Sequence, residues 1–154
     1  MEFILLADDP LAYKEVAGWY FEQWLSNVPD MTVGRVESKL ATYTNRDKAP
    51  FLMLAKLDGE LIGAAELKIR EMDIYPDYEY WVGGVYVKSS ARGKGVAAGL
   101  VQEVISQAKT FGIKRLYLQT EKLDGGIYSK VGFSLIEQVD YKGHYVSVMQ
   151  ADLT

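Results

Sequence analysis

A chain of 154 residues with 21 acidic and 17 basic side chains, a formal net charge of −4 and no cysteine has the size of one domain and no basic footprint for nonspecific nucleic-acid binding. The missing thiols exclude a disulfide framework, a thiolate metal site and a cysteinyl acyl intermediate. No stretch approaches the ~20 apolar residues of a membrane span, and the start Met1-Glu2-Phe3 lacks a signal peptide's basic region, so a cytoplasmic protein without membrane or nucleic-acid partners is expected.

Phe3 to Leu6 reads as a first strand, and Asp8-Asp9-Pro10 then offers a cap with proline near the first helical turn. Tyr13, Val16, Ala17, Tyr20 and Trp24 recur at helical spacing, which predicts an amphipathic helix from Pro10 to Leu25 with Tyr20 and Trp24 in the core. Val33, Val36, Leu40 and Tyr43 form a second stripe, placing another helix from about Thr32 to Thr44. Phe51 to Leu57 and Leu61 to Ile69 flank Asp58-Gly59, a strong hairpin signal. Tyr80 to Val87 is the next strand. A helix with Ala97, Leu100, Val101, Val104, Ile105, Ala108 and Phe111 on one face follows, stopped by Gly112. Arg115 to Thr120 is a crossover strand, a short helix ends at Gly132, and Ser134 to Val139 pairs with Tyr145 to Ala151 around Lys142-Gly143. With no linker-like break or repeat, residues 1–154 read as a single domain of mixed α+β class.

The segment Val85-Tyr86-Val87-Lys88-Ser89-Ser90-Ala91-Arg92-Gly93-Lys94-Gly95 carries the chemistry. It joins a strand to a helix through glycines and two cations. A helix starting there points unpaired N–H groups and the positive end of its dipole at the loop, which suits phosphate. Gly93 and Gly95 let backbone approach a ligand closely, and Arg92 and Lys94 add charge at the rim. No window matches a P-loop. A dinucleotide fingerprint is the nearer rival, with Glu121 placed as a ribose-binding acid, but Ala98 stands where its third glycine belongs and Gly99 comes one step too late.

Arg92-Gly93-Lys94-Gly95-Val96-Ala97 resembles the Arg/Gln-x-x-Gly-x-Gly/Ala loop of GNAT-type N-acetyltransferases, and Ile127-Tyr128-Ser129-Lys130-Val131-Gly132-Phe133 resembles that family's Tyr-x-Lys-x-Gly-Phe signature. The resemblance runs from Phe3 to Leu153. It implies a mixed, largely antiparallel sheet of six to seven strands flanked by about four helices. It also implies acetyl-CoA as acyl donor, with no metal, and direct transfer to a primary amine of a small-molecule or peptide acceptor. Loop amides of Arg92 to Ala98 would hold the pyrophosphate, Val85, Tyr86 and Val87 would line the pantetheine arm, and an N–H near Val85 would face the oxyanion. The family's Asn-x-x-Ala falls here on Glu121 and Asp124.

A leaving thiolate of pKa about 8.5 can take a proton from the Tyr128 phenol, whose ordinary pKa is about 10. The family's strand glutamate aligns with Trp81. Glu79, two residues upstream and on the same face, is therefore the expected base, with Glu66 the other candidate. Acidic and tyrosyl residues interleave from Glu71 to Tyr80, suiting an ammonium, with Asp77, Tyr80 and Trp81 as acceptor contacts. His144, the sole histidine, is expected on a loop or surface. The late strand pair offers an edge for a homodimer. A non-catalytic module binding CoA or a nucleotide is the alternative reading of the same cradle.

Overall fold

The computed structural model describes residues 1–154. In chain order it contains β1 (Glu2–Leu5), α1 (Tyr13–Tyr20), α2 (Val33–Leu40), β2 (Phe51–Leu57), β3 (Glu60–Ile69), β4 (Tyr80–Val87), α3 (Val96–Thr110), β5 (Arg115–Thr120), α4 (Gly126–Lys130), β6 (Ser134–Tyr141) and β7 (His144–Asp152). The strands form one mixed sheet in the order β1-β2-β3-β4-β5-β7-β6. Every neighbouring pair is antiparallel except β4 with β5. This is the α+β architecture that the sequence implies, with seven strands and four helices.

Turn chemistry fixes both hairpins. Asp58 and Gly59 have φ of 52° and 81°, and Lys142 and Gly143 have 50° and 86°, the consecutive left-handed pair that a two-residue hairpin turn requires. A helix is needed between β4 and β5, since parallel strands cannot be joined by a tight turn. α3 serves that purpose and buries Val96, Leu100, Val101, Val104 and Ala108 against one face of the sheet. On the other face α1 and α2 bury Val16, Ala17, Tyr20, Val36 and Leu40 over Leu52, Leu54 and Ala64. A smaller cluster built on Met72, Trp81, Tyr117, Val146 and Val148 completes that face.

Several elements depart from the expected boundaries, and at three of them the cause is local. The stretch from Pro10 to Leu25 is a 3₁₀ turn (Pro10–Ala12), then α1, then a π-helical turn (Phe21–Leu25). The wider π spacing rotates Trp24 off the buried stripe, so it is 47% exposed while Tyr20 is 4% exposed. α2 stops at Leu40 because Thr44 is already drawn into a bridge with Phe51. Its start is as expected, with the Thr32 side chain accepting from the Arg35 N–H at 3.2 Å. β1 lies one residue earlier than expected, since Leu6 opens a 3₁₀ turn in which Asp8 Oδ2 accepts from the Leu5 N–H.

Leu100 sits fully buried under α3. Leu100→Ala should lower the unfolding free energy in urea by about 2–5 kcal/mol, whereas Leu11→Ala, at a 74% exposed side chain, should change it by less than about 0.5 kcal/mol.

Candidate active site at a split in the sheet

β4 and β5 share a single register pair, Trp81 with Tyr117. Beyond it the two strands separate. β4 also carries a bulge, for Glu66 pairs with Gly83 and Ala64 with Tyr86, leaving Gly84 and Val85 opposite one β3 residue. Bulges bend a strand and increase its twist, and here the result is a gap between the second half of β4 and the end of β5.

The mouth of α3 lies at one side of this gap. Gly93 and Gly95 have φ of 79° and 78°, and no protein atom comes within 4 Å of where a Cβ on either would stand. Backbone conformation, not crowding, selects glycine at both positions. The N–H groups of Gly93, Lys94, Gly95, Val96, Ala97 and Ala98 meet no acceptor within the protein, the first helical bond being Gly99 N–H to the Gly95 carbonyl at 3.0 Å. Arg92 is drawn back toward β4, its Nε donating to the Val87 carbonyl at 2.9 Å and its guanidinium lying 5.8 Å from the Tyr86 ring centre. Lys94 is exposed and unpaired.

A cavity of about 410 Å³ runs from this mouth along β4 to α4. Its walls include Val85, Tyr86, Val87, Arg92, Gly93, Gly95, Val96, Ala97, Ala98 and Tyr128, expected as site residues, together with Ala91 and Ile127 from the same two motif segments and with Gln23 and Trp24. Lys94 stands outside the walls. Trp24 was expected in the core; the π turn instead places it edge-on to Tyr86 at 6.2 Å, over the cavity.

Tyr128 packs edge-on to Phe133 at 6.3 Å. The side-chain hydrogen bonds around α4 belong to Asp124 and Ser129 and leave the Tyr128 hydroxyl unengaged. Burial, with a smaller contribution from the Glu71 carboxylate, pushes its phenol up to about 12. Asp124 turns onto the Gly126 N–H at 2.9 Å and Glu121 onto His144 Nδ1 at 2.6 Å, so neither reaches the cavity. His144 is exposed, on the first residue of β7.

The expected base and acceptor contacts lie elsewhere. Glu79, Asp77 and Tyr80 border a separate hollow of about 340 Å³ at the start of β4, shared with the end of α3 and the start of β5. Five residues of strand, about 17 Å, separate Tyr80 from Val85, and Glu79 faces Arg70 at 3.6 Å. Trp81 is fully buried, its indole N–H donating to the Tyr78 carbonyl at 2.7 Å. Tyr78 stacks on Tyr75 and Tyr117 at 5.0 and 4.1 Å, so these aromatic faces are occupied by one another. Asp73 receives the Tyr141 hydroxyl at 3.1 Å, and Tyr75 bonds Glu137. Residues 70–79 thus latch onto the sheet. From that acidic run only Glu71 turns to the gap, accepting from Lys68 at 2.9 Å and from Gln119 of β5 at 3.1 Å.

Comparison with known proteins gives one family and many similar folds. The profile of the acetyltransferase (GNAT) family matches residues 11–133. No curated protein matches the sequence. An aminoglycoside 6'-N-acetyltransferase complexed with coenzyme A superposes with a TM-score of 0.75 at 16% identity, covering 100% of this chain and 98% of its own. A ribosomal-protein-alanine N-acetyltransferase from Brucella melitensis gives 0.72 at 20%, covering 99% of each. The Salmonella typhimurium protein yncA, solved with its cofactor acetyl-CoA, gives 0.74 at 16%, covering 99% of this chain and 94% of its own.

Gly84 has φ of 56°, and a Cβ there would run into Glu66 Oε2 and stand 2.7 Å from the Tyr20 hydroxyl oxygen. Gly84→Ala should destabilise the fold by at least about 2 kcal/mol, combining overpacking with left-handed strain. Gly93→Ala, strained but uncrowded, should cost about 1–2 kcal/mol, and urea denaturation of both variants checks the order.

Proposed function

Because this chain belongs to the acetyltransferase (GNAT) family, we propose that it transfers an acetyl group from acetyl-CoA directly to a primary amine on a small-molecule or peptide acceptor. The observation that carries this reading is the set of six unengaged amides at the mouth of α3, opening on a cavity that ends at Tyr128. Amides so gathered, at the positive end of a helix dipole, match a diphosphate in geometry and charge, and the open space over Gly93 and Gly95 admits one. Lys94, free at the rim, adds charge.

Below the mouth, Val85 to Val87 lack a β5 partner. Their edge is available to the amides of a pantetheine arm, with Trp24, Tyr86 and Ile127 as apolar walls. Val85, unpaired in the bulge register, is the main-chain donor best placed for an oxyanion. Holding thioester and amine side by side in this geometry supplies much of the rate, since good positioning is worth roughly 7–11 kcal/mol. Tyr128 keeps its proton through neutral pH, because its pKa lies near 12, and so stays loaded as donor to the departing sulfur. The amine acceptor is supported by the similar folds whose names state N-acetylation, one on an aminoglycoside and one on a ribosomal-protein alanine.

Acetyl-CoA and CoA should raise the melting temperature and NADH should not; ligand at 100 times its Kd stabilises by about 2.7 kcal/mol. Amide resonances of residues 93–98 should shift on CoA titration, and thiol release should depend on an added amine. Tight CoA binding without turnover of any amine would reduce the protein to a binding module. Tyr128→Phe should lower kcat ten-fold or more with acetyl-CoA affinity little changed; a rate near wild type would remove Tyr128 from the proton-donor role.

A further inference from the structure

On the face of the gap opposite the α3 mouth lies a buried ionic group that the cofactor reading leaves unused. Glu66, on β3, is 3% exposed. Its carboxylate receives no hydrogen bond, and its nearest cation is Lys68 Nζ at a long 3.8 Å. Glu71 is better satisfied, by Lys68 and Gln119. The group carries two negative charges to one positive. It is admitted by the bulge itself, since a Cβ at Gly83 would stand 2.6 Å from Glu71 Oε1 and one at Gly84 would strike Glu66 Oε2. A chain that uses two adjacent glycines to seat two carboxylates beside the bulge, and leaves one of them without a hydrogen bond, holds unmet negative charge there.

We propose that this group is the acceptor site: a primary ammonium enters from the α1/α2 face, pairs with Glu66 and Glu71, and gives its proton to Glu66. The proposal rests on the acetyl-transfer reading and takes the base role from Glu79. Of the three protons on the ammonium nitrogen, one passes to Glu66 and later to solvent. The freed lone pair forms the bond to the thioester carbon, the carbon–sulfur bond breaks, and Tyr128 protonates the sulfur. A second nitrogen proton returns through solvent to the Tyr128 oxygen, and the third stays on the amide.

Electrostatics agree with a proton acceptor. Burial raises Glu66 above the ordinary carboxylate range, Lys68 and Lys39 pull it down, and Glu71 pushes it up. Burial alone would lower Lys68, yet the flanking Glu66 and Glu71 raise it above its usual value, so it stays charged. Tyr20 and Tyr43 complete the surroundings, both held neutral by burial and by Glu66, with the Tyr20 hydroxyl committed to the Gly84 carbonyl at 2.5 Å. Lys68 is therefore a positioning residue that sets how readily Glu66 takes a proton.

The test measures kcat/KM for spermidine, an aminoglycoside and a peptide with a free amino terminus, at saturating acetyl-CoA, from pH 5 to 9. Glu66 accepts a proton only as carboxylate, so the wild-type rate should fall as pH drops through its raised pKa. Glu66→Gln should lose about 100-fold or more and lose that limb, with acetyl-CoA affinity within about two-fold of wild type. Lys68→Met removes the cation that holds the Glu66 pKa down, so the limb should move to higher pH. A wild type that binds no acetyl-CoA, or acetylates no amine, overturns the acyl-transfer reading and this assignment with it. Glu66→Gln that binds acetyl-CoA and retains full amine turnover overturns the assignment alone. Should Glu66→Gln fail to fold, the Lys68→Met profile decides, an unmoved limb counting against Glu66.

Discussion

The separation of β4 from β5 after one shared pair is the constraint on which everything else rests. A parallel pair that closed along its length would satisfy the edges of both strands and leave no cavity between them. Here β5 finds its hydrogen bonds on the other side, in a six-residue register with β7 from Arg115 to Thr120, so it is anchored without β4. β4 is anchored by β3. Each strand is held from outside, and the gap between them costs little because neither depends on the other beyond Trp81 and Tyr117. The aromatic stack of Trp81, Tyr78 and Tyr117 pins that one junction, so the split begins at a fixed place.

The bulge at Gly84 and Val85 then has two consequences on opposite faces. Toward α3 it re-aims the second half of β4 along the cavity. Toward α1 it opens a slot without Cβ atoms, filled by Glu66 and Glu71. Burying carboxylates is expensive unless they are paired, and Lys68 offsets only part of that cost. Such a residue of unmet charge in an otherwise satisfied interior is characteristic of sites and uncommon in plain structural cores. The bond from Tyr20 to the Gly84 carbonyl ties α1 to the bulge, so the same contact that holds the helix on the sheet also holds the slot in shape.

Much of this was legible in the sequence, for identifiable reasons. Turn pairs such as Asp58-Gly59 and Lys142-Gly143 encode their geometry locally, and the 3.6-residue stripe of α3 is long enough to be unambiguous. The open amides at the mouth of α3 were legible because they depend on backbone conformation, which Gly93 and Gly95 advertise. Side chains that act across the sheet were not. Glu79 and Glu66 are both carboxylates on or beside strands, and only the register of β3 against β4, with its bulge, decides which of them reaches the gap. Alternation back from Trp81 assumed that the strand included Glu79, whereas β4 begins at Tyr80. Likewise the tyrosines between Glu71 and Tyr80 suit a cation cage by composition, but Tyr117, distant in sequence, occupies the face that a cation would need. The π turn that exposes Trp24 is a one-residue change of pitch inside a continuous apolar pattern, too small to register as a break.

The two ends of the proposed proton path are coupled through the gap, because the Glu71 charge that helps to raise Glu66 also raises Tyr128. Taken in isolation, a phenol near 12 is a poor donor to a thiolate whose acid has a pKa of about 8.5; the difference corresponds to roughly 5 kcal/mol. In the proposed reaction, however, the sulfur would develop its charge in the same buried space and beside the same carboxylate. Desolvation and a nearby negative charge raise the pKa of every acid they surround, the thiol among them. What governs transfer is the difference between phenol and thiol, and a common environment moves both in one direction. The same environment would make a free thiolate costly at the moment the carbon–sulfur bond breaks, so the proton donation proposed for Tyr128 would become more valuable as the site becomes drier. In the proposed reaction, the pairing of an ammonium with Glu66 and Glu71 and the neutralisation of a departing thiolate by Tyr128 are thus two effects of one charge distribution, set by where two glycines let two carboxylates sit.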